Sequence, residues 1–253
     1  MIDFAFISPS VSEGESSRPW TRYSDHIGPT EHITPLGERI SGKTYCGLLS
    51  LAAGIAGWCA HRLNGRTDVT TLSNLVEATF AYQHDWRYFN RKALPHKRPV
   101  DDPMEISMVV GAEMAIRNIT YAKIFWKTGR IPDIPVFHLA HAVGYILPNP
   151  ELKKFEAWLY AVSDRLDEIA SRPHSTVLPK EQYSGKSRSG DIRDCHGVAF
   201  PPDVLDVRSP FDMEMRAELS SVFLRSLDWK KNPLLASPDQ LREAGFTGEP
   251  YGG

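Results

Sequence analysis

The chain has 253 residues, 42% of them apolar and 24% charged, with a formal net charge of −2. Those proportions are those of an ordinary folded globule and exclude a disordered or fibrous chain. The near-zero charge excludes a global field driving it onto nucleic acid or anionic lipid.

Three cysteines, Cys46, Cys59 and Cys195, are odd in number and lack CxxC spacing. That argues against a disulfide framework and against a structural zinc site. The opening MIDFAFISPS has no basic segment followed by a long apolar core, so a cytoplasmic setting is expected. Ile2, Phe4 and Phe6 alternate with Asp3 and Ala5, which predicts a short N-terminal strand over residues 1–7. From Ser8 to Gly42 the chain is rich in Ser, Pro, Gly and Thr and reads as a long loop anchored by Trp20 and Tyr23.

Residues 43–63 are the most apolar run, and Tyr45 to Ala60 carries no charge. It is shorter than the roughly 20 residues a membrane span needs, so no membrane association is expected. Gly47, Ser50, Gly54 and Gly57 fall at helical spacing and make a flat ridge that admits close packing, within one chain or across a homodimer. Each glycine weakens the helix by about 1 kcal/mol relative to alanine, so tertiary burial must hold it. A helix from about Thr71 to Ala93 follows, its second half crowded with aromatics and bases.

Asp102, Pro103 and Glu105 then give a helix start, and Thr128-Gly129 before Pro132 and Pro135 a stop. Between them Met108, Ala112, Ala115, Ile119, Ala122 and Trp126 line one face. A helix over about 103–128 would be about 40 Å long, and it is expected to be the central post. A shorter helix spans Asp133 to Leu147. Asn149-Pro150-Glu151 opens another, whose apolar stripe runs from Leu152 to Ile169.

Regularity fails over 172–208, where residues 183–191 are polar and flexible in composition, and a strand is expected at Val198 to Phe200. Ser209 to Asp212 reads as a capping box opening a helix with Phe211, Met215, Leu219, Val222, Phe223 and Leu227 inward. Ser237 to Gln240 repeats the device for a last short helix ending at Gly245. The expected fold is mainly α, or α-rich α+β. One domain over 1–253 has a helical core at about 43–171, an irregular segment at 172–208 and C-terminal helices at 209–245.

Four features bear on chemistry. Gly37 to Thr44 matches GxxxxGKT, in which Gly37 and Gly42 would let backbone N–H groups wrap phosphates, Lys43 would meet the outer phosphates and Thr44 would hold magnesium. Its context is wrong for a P-loop, because Pro35 precedes it where a buried strand belongs and strand–helix alternation is missing. His138 and His141, three apart on one helix, are candidate metal ligands that would need partners such as His84, Asp85 or Glu105. Asp194, Cys195 and His196 adjoin, but a nucleophile and its base are set by spatial rather than sequential adjacency. Tyr82, Trp86, Arg87 and Arg91, with Tyr88, Phe89, Lys92, Lys97 and Arg98 nearby, combine aromatics and bases. That mixture suits a protein interface, or a single nucleic-acid strand, as well as a solvated helix face.

No catalytic constellation is complete, so a non-enzymatic binding protein is the first reading. No cofactor is expected and nucleic acid is not the preferred partner. The short N-terminal strand, the α-rich body and the scattered tryptophans Trp58, Trp86, Trp126 and Trp158 resemble an architecture. It is that of cytoplasmic immunity proteins encoded beside bacterial type VI or polymorphic toxins, of the kind paired with nuclease toxins. The resemblance implies tight binding of one cognate toxin, with acids offered to a basic cleft; here those would be Asp101, Asp102, Asp164, Asp167 and Glu168. The alternatives are a nucleotide-binding enzyme using Lys43 and Thr44, and a helical metalloprotein using His138 and His141.

Overall fold

The run that lacks charge from Tyr45 to Ala60 is apolar around its whole circumference, and a helix of that kind is stable only when surrounded. In the computed structural model it is helix α2, Tyr45–Leu63, with every residue but His61 buried. The structure describes residue 2 and residues 4–16, 34–94, 104–120, 133–172 and 196–252. The other helices are α1 (Pro35–Ile40), α3 (Thr70–His84), α4 (Met104–Thr120), α5 (Asp133–Ile146), α6 (Asn149–Ile169), α7 (Arg216–Ser226) and α8 (Pro238–Glu243). The fold is mainly helical. Among the described residues β pairing is confined to three isolated bridges.

The central post is therefore α2 and not the helix expected at 103–128. Helices α3, α4, α5 and α6 all pack on α2, as do the 3₁₀ turns Pro9–Ser12 and Pro202–Leu205. Its glycines explain the crowding. A Cβ on Gly54 would lie 2.7 Å from Leu205 and 2.9 Å from the Trp158 ring, and one on Gly57 2.4 Å from Phe4. Helix α4 keeps its expected inner face, with Met108, Val109, Ala112, Ala115 and Ile116 buried. Its proposed continuation to residue 128 lies outside the described residues.

The N-terminal strand does not form among the described residues. Ile7 N–H donates to the Phe4 carbonyl at 2.7 Å, a turn that points Phe4 and Ile7 both inward while Phe6 stacks on Trp158 at 5.3 Å. Val198 to Phe200 is not a strand either; the Phe200 N–H is met by the Gln83 side chain at 3.2 Å. Helix α3 stops at His84, short of Ala93, because Asp85 turns extended and caps the 3₁₀ turn Trp86–Tyr88. Helix α7 starts at Arg216 rather than beside Ser209. Asp212 instead accepts from the Glu214 N–H at 2.8 Å, and its carboxylate serves a turn. Helix α8 has the expected capping box, Ser237 and Gln240 each bonding the other's backbone N–H.

Candidate functional site

The GxxxxGKT segment is shaped by hydrogen bonds unlike those of a phosphate loop. Thr34 caps α1 by accepting from the Gly37 N–H at 3.0 Å, so Gly37 lies inside a helix. Gly42 takes a φ of +83°, the left-handed region that favours glycine. Its carbonyl accepts from Arg172 N–H at 2.7 Å while Thr44 N–H donates to Ala170 at 2.7 Å, so the segment is tied to the end of α6. Lys43 is fully buried, donating to Asp167 Oδ1 at 2.8 Å and to the Arg39 carbonyl. Burial lowers the Lys43 pKa, and Asp167 opposes that shift. Thr44 caps α2 by accepting from the Gly47 N–H at 3.3 Å. The lysine and the threonine are both engaged in the fold. A glycine-rich turn needed to start α2 against α6 produces the same letters.

The two histidines on α5 are likewise packed into a surface of rings. His141 stacks on Phe137 at 6.1 Å and meets Tyr145 edge-on at 5.1 Å, and His138 lies 5.9 Å from Phe137. Among the described residues no three His, Cys, Asp or Glu side chains are grouped to hold a metal ion.

The aromatic–basic segment divides into buried and exposed parts. Tyr82 is buried, hydrogen-bonded to Tyr45, and cannot meet a partner. Arg91 lies 6.0 Å from both the Tyr82 and Phe89 rings. Trp86 is 66% exposed, the most exposed large apolar side chain among the described residues. Its neighbour Arg87 is fixed. Asp85 accepts from Arg87 N and Nε at 2.9 Å each and from Nη2 at 2.6 Å, and Nη1 donates to the Gly245 carbonyl at 2.5 Å. The Arg87 guanidinium also covers the Phe246 ring at 5.2 Å. Tyr88 packs on Phe246 and Tyr251, at 5.3 and 5.2 Å, so the turn carrying Trp86 is bolted to the C-terminal segment.

Two of the acids expected to meet a partner form ion pairs within the chain. Asp164 pairs with Arg39 and Asp167 with Lys43. Glu168 is exposed on the same helix. Asp101 and Asp102 lie outside the described residues.

Two features escaped sequence reading. The imidazole of His196 meets Cys46 in the first turn of α2, Nδ1 to Sγ 3.5 Å, while Cys195 lies outside the described residues. Burial pushes the Cys46 thiol well above its ordinary range, so it is held neutral in a dry pocket. A separation of 150 residues leaves no local signal for that pair. The second feature is apolar exposure at Val198, Met213, Met215 and Val222, which with Trp86 and Tyr160 are the exposed large hydrophobics of the described residues. Met215 and Val222 were expected inward. They face outward instead, and Ser220 and Phe223 are the buried residues of α7.

No described helix is long and apolar enough to cross a membrane. No family model, no curated protein and no solved structure matches this chain.

Proposed function

We propose that this chain is a non-enzymatic binding protein, an immunity protein that holds and neutralises a cognate bacterial toxin. The observation that carries the reading is Trp86. A tryptophan two-thirds exposed keeps a large apolar surface in water, at a cost of about 25 cal/mol for each Å² that a partner would cover. It stands on a turn whose backbone and adjacent arginine are pinned by Asp85 and Gly245, so little ordering remains to be done on binding. Trp and Arg, rigidly presented side by side, are the residue types that dominate protein–protein binding energy. Lys43 and Thr44, engaged inside the fold, favour this reading over a nucleotide-binding enzyme.

The test is affinity capture from the native host, with the bound protein identified and its toxicity assayed alone and with this chain co-expressed. The reading expects one stoichiometric protein partner whose toxicity is suppressed. It also expects Trp86→Ala to weaken the complex on the order of 30-fold or more, with folding intact. A partnerless chain that turns over a nucleotide would overturn it.

A further inference from the structure

Helix α7 carries an apolar stripe that its own fold leaves uncovered. One side of it is docked. Phe223 meets Phe80 of α3 edge-on at 5.8 Å, Ser220 is buried, Arg216 donates to the Ala199 carbonyl at 2.9 Å, and the helix lies against the turn Pro250–Gly252. Met215, Leu219 and Val222 stand at steps of four and three on the neighbouring side. Met215 is 42% exposed, Leu219 half-buried and Val222 51% exposed. Val198 is exposed as well, beside Ala199, whose carbonyl Arg216 holds.

A helical apolar stripe of this period is the pattern by which a helix seats in a groove, with anchors at i, i+4 and i+7. The sequence spends three apolar residues where a solvated helix face needs none. Four of the six exposed large hydrophobics among the described residues fall between Val198 and Val222. Asp212, Glu214 and Glu218 are exposed over the first half of the stripe; of the bases there, Arg216 is half-buried with its guanidinium on the Ala199 carbonyl, and Arg225 is exposed at the far end.

We infer that α7 is the element this chain inserts into its protein partner, and that the partner presents an apolar groove whose rim is basic. The groove takes Met215, Leu219 and Val222, and the rim faces Asp212, Glu214 and Glu218. This rests on the binding function proposed above and adds to it the docking element and the chemistry of the partner. Buried apolar anchors hold a complex together, whereas rim charges mainly speed encounter. The two halves of the surface therefore have separate kinetic signatures.

The experiment uses the full chain and, as probe, a catalytically inactivated product of the adjacent gene, followed by surface-immobilised association and dissociation kinetics. Val222→Asp and Met215→Glu are each expected to weaken binding about 100-fold, chiefly through faster dissociation, with the melting temperature of the free chain unchanged. A charge-reversed Glu214→Lys, Glu218→Lys double variant is expected to slow association about tenfold at low salt and to flatten its salt dependence, with little change in dissociation. Binding by the wild type that Val222→Asp leaves unchanged would overturn the inference and leave the binding function standing. Loss of self-association on Val222→Asp, with the probe still bound, would assign the stripe to a second copy of this chain and overturn the inference too. A wild-type chain that does not bind the probe would remove the function proposed above, and this inference with it.

Discussion

Arg62 carries its guanidinium into the interior and is met there by a set of backbone carbonyls. Its Nε donates to the Ile146 carbonyl at 2.8 Å. Nη1 reaches the carbonyls of Val11, Ser12 and Glu13 at 3.2, 3.1 and 2.9 Å, and Nη2 that of Gly14 at 3.0 Å. One planar fork thus ties the segment after residue 10 to α2 and to the end of α5. Arg62→Met would leave those carbonyls to find other donors in a buried place, and we expect a loss of about 3 kcal/mol or more in urea unfolding. Arg62→Lys should recover little, because a single ammonium cannot span the fork. Lys43 offers a contrast. Its partner Asp167 is half-exposed and can rehydrate, so Lys43→Met should cost about 1 kcal/mol and Lys43→Ala, which also empties the stem's space, about 3 kcal/mol.

His84 gives a pH test at the same scale. Burial, helped by the nearby Arg216 charge, lowers its pKa to about 4, and its enclosed Nε2 has no hydrogen-bond partner among the described residues. The folded state therefore keeps His84 neutral, while the unfolded chain takes up its proton below about pH 6.5. Stability from this group is full above pH 6.5 and is lost progressively as pH falls toward 4, by about 3 kcal/mol in all. The urea midpoint of His84→Gln, measured from pH 7 to 4, should fall less steeply than that of the wild type. Parallel slopes would place the titration elsewhere.

At the scale of elements, the legible helices were those whose signals are local. Helices α5, α6 and α8 start and stop within a residue or two of their proline, asparagine and serine signals, and the inner face of α4 follows its apolar spacing. The misplaced ends of α3 and α7 share one physical cause, a side chain reaching a backbone group. Asp85 ends α3 by capping the next turn. Asp212 delays α7 in the same way, and Arg165 holds the carbonyls of Val204, Asp206 and Ser209 just upstream. The glycines of α2 were read correctly as a ridge, but its occupants were not readable, since Phe4, Trp158 and Leu205 arrive from distant parts of the chain. Gly54→Ala should raise helix propensity by about 1 kcal/mol and still destabilise the protein by about 1–3 kcal/mol, because a Trp158 ring and Leu205 must move. A melting temperature that rises in this variant would show the packing to be looser than described.

For the whole molecule, the mainly helical class was legible, and the choice of central helix was not. Length and amphipathic clarity favoured 103–128, but a post enclosed by neighbours needs apolar residues on every side, and that is the composition of α2. The candidate surfaces were legible in part. Trp86 and Arg87, expected in the second half of a helix, lie on a 3₁₀ turn that exposes Trp86, whereas Tyr82 is buried and Asp164 and Asp167 are paired with bases. The α7 stripe was visible in the sequence as apolar, and its direction was not, because the side of α7 that docks is set by its contact with Phe80 of α3, far off in sequence.

The central claim is that this chain acts by holding one protein. The most direct measurement is calorimetric titration of the purified chain with the inactivated product of the adjacent gene, beside a titration with magnesium and ATP. The account expects a one-to-one protein complex that Trp86→Ala weakens on the order of 30-fold, with no heat from the nucleotide. A chain that ignores the protein and binds magnesium–ATP in a manner abolished by Lys43→Ala would contradict it.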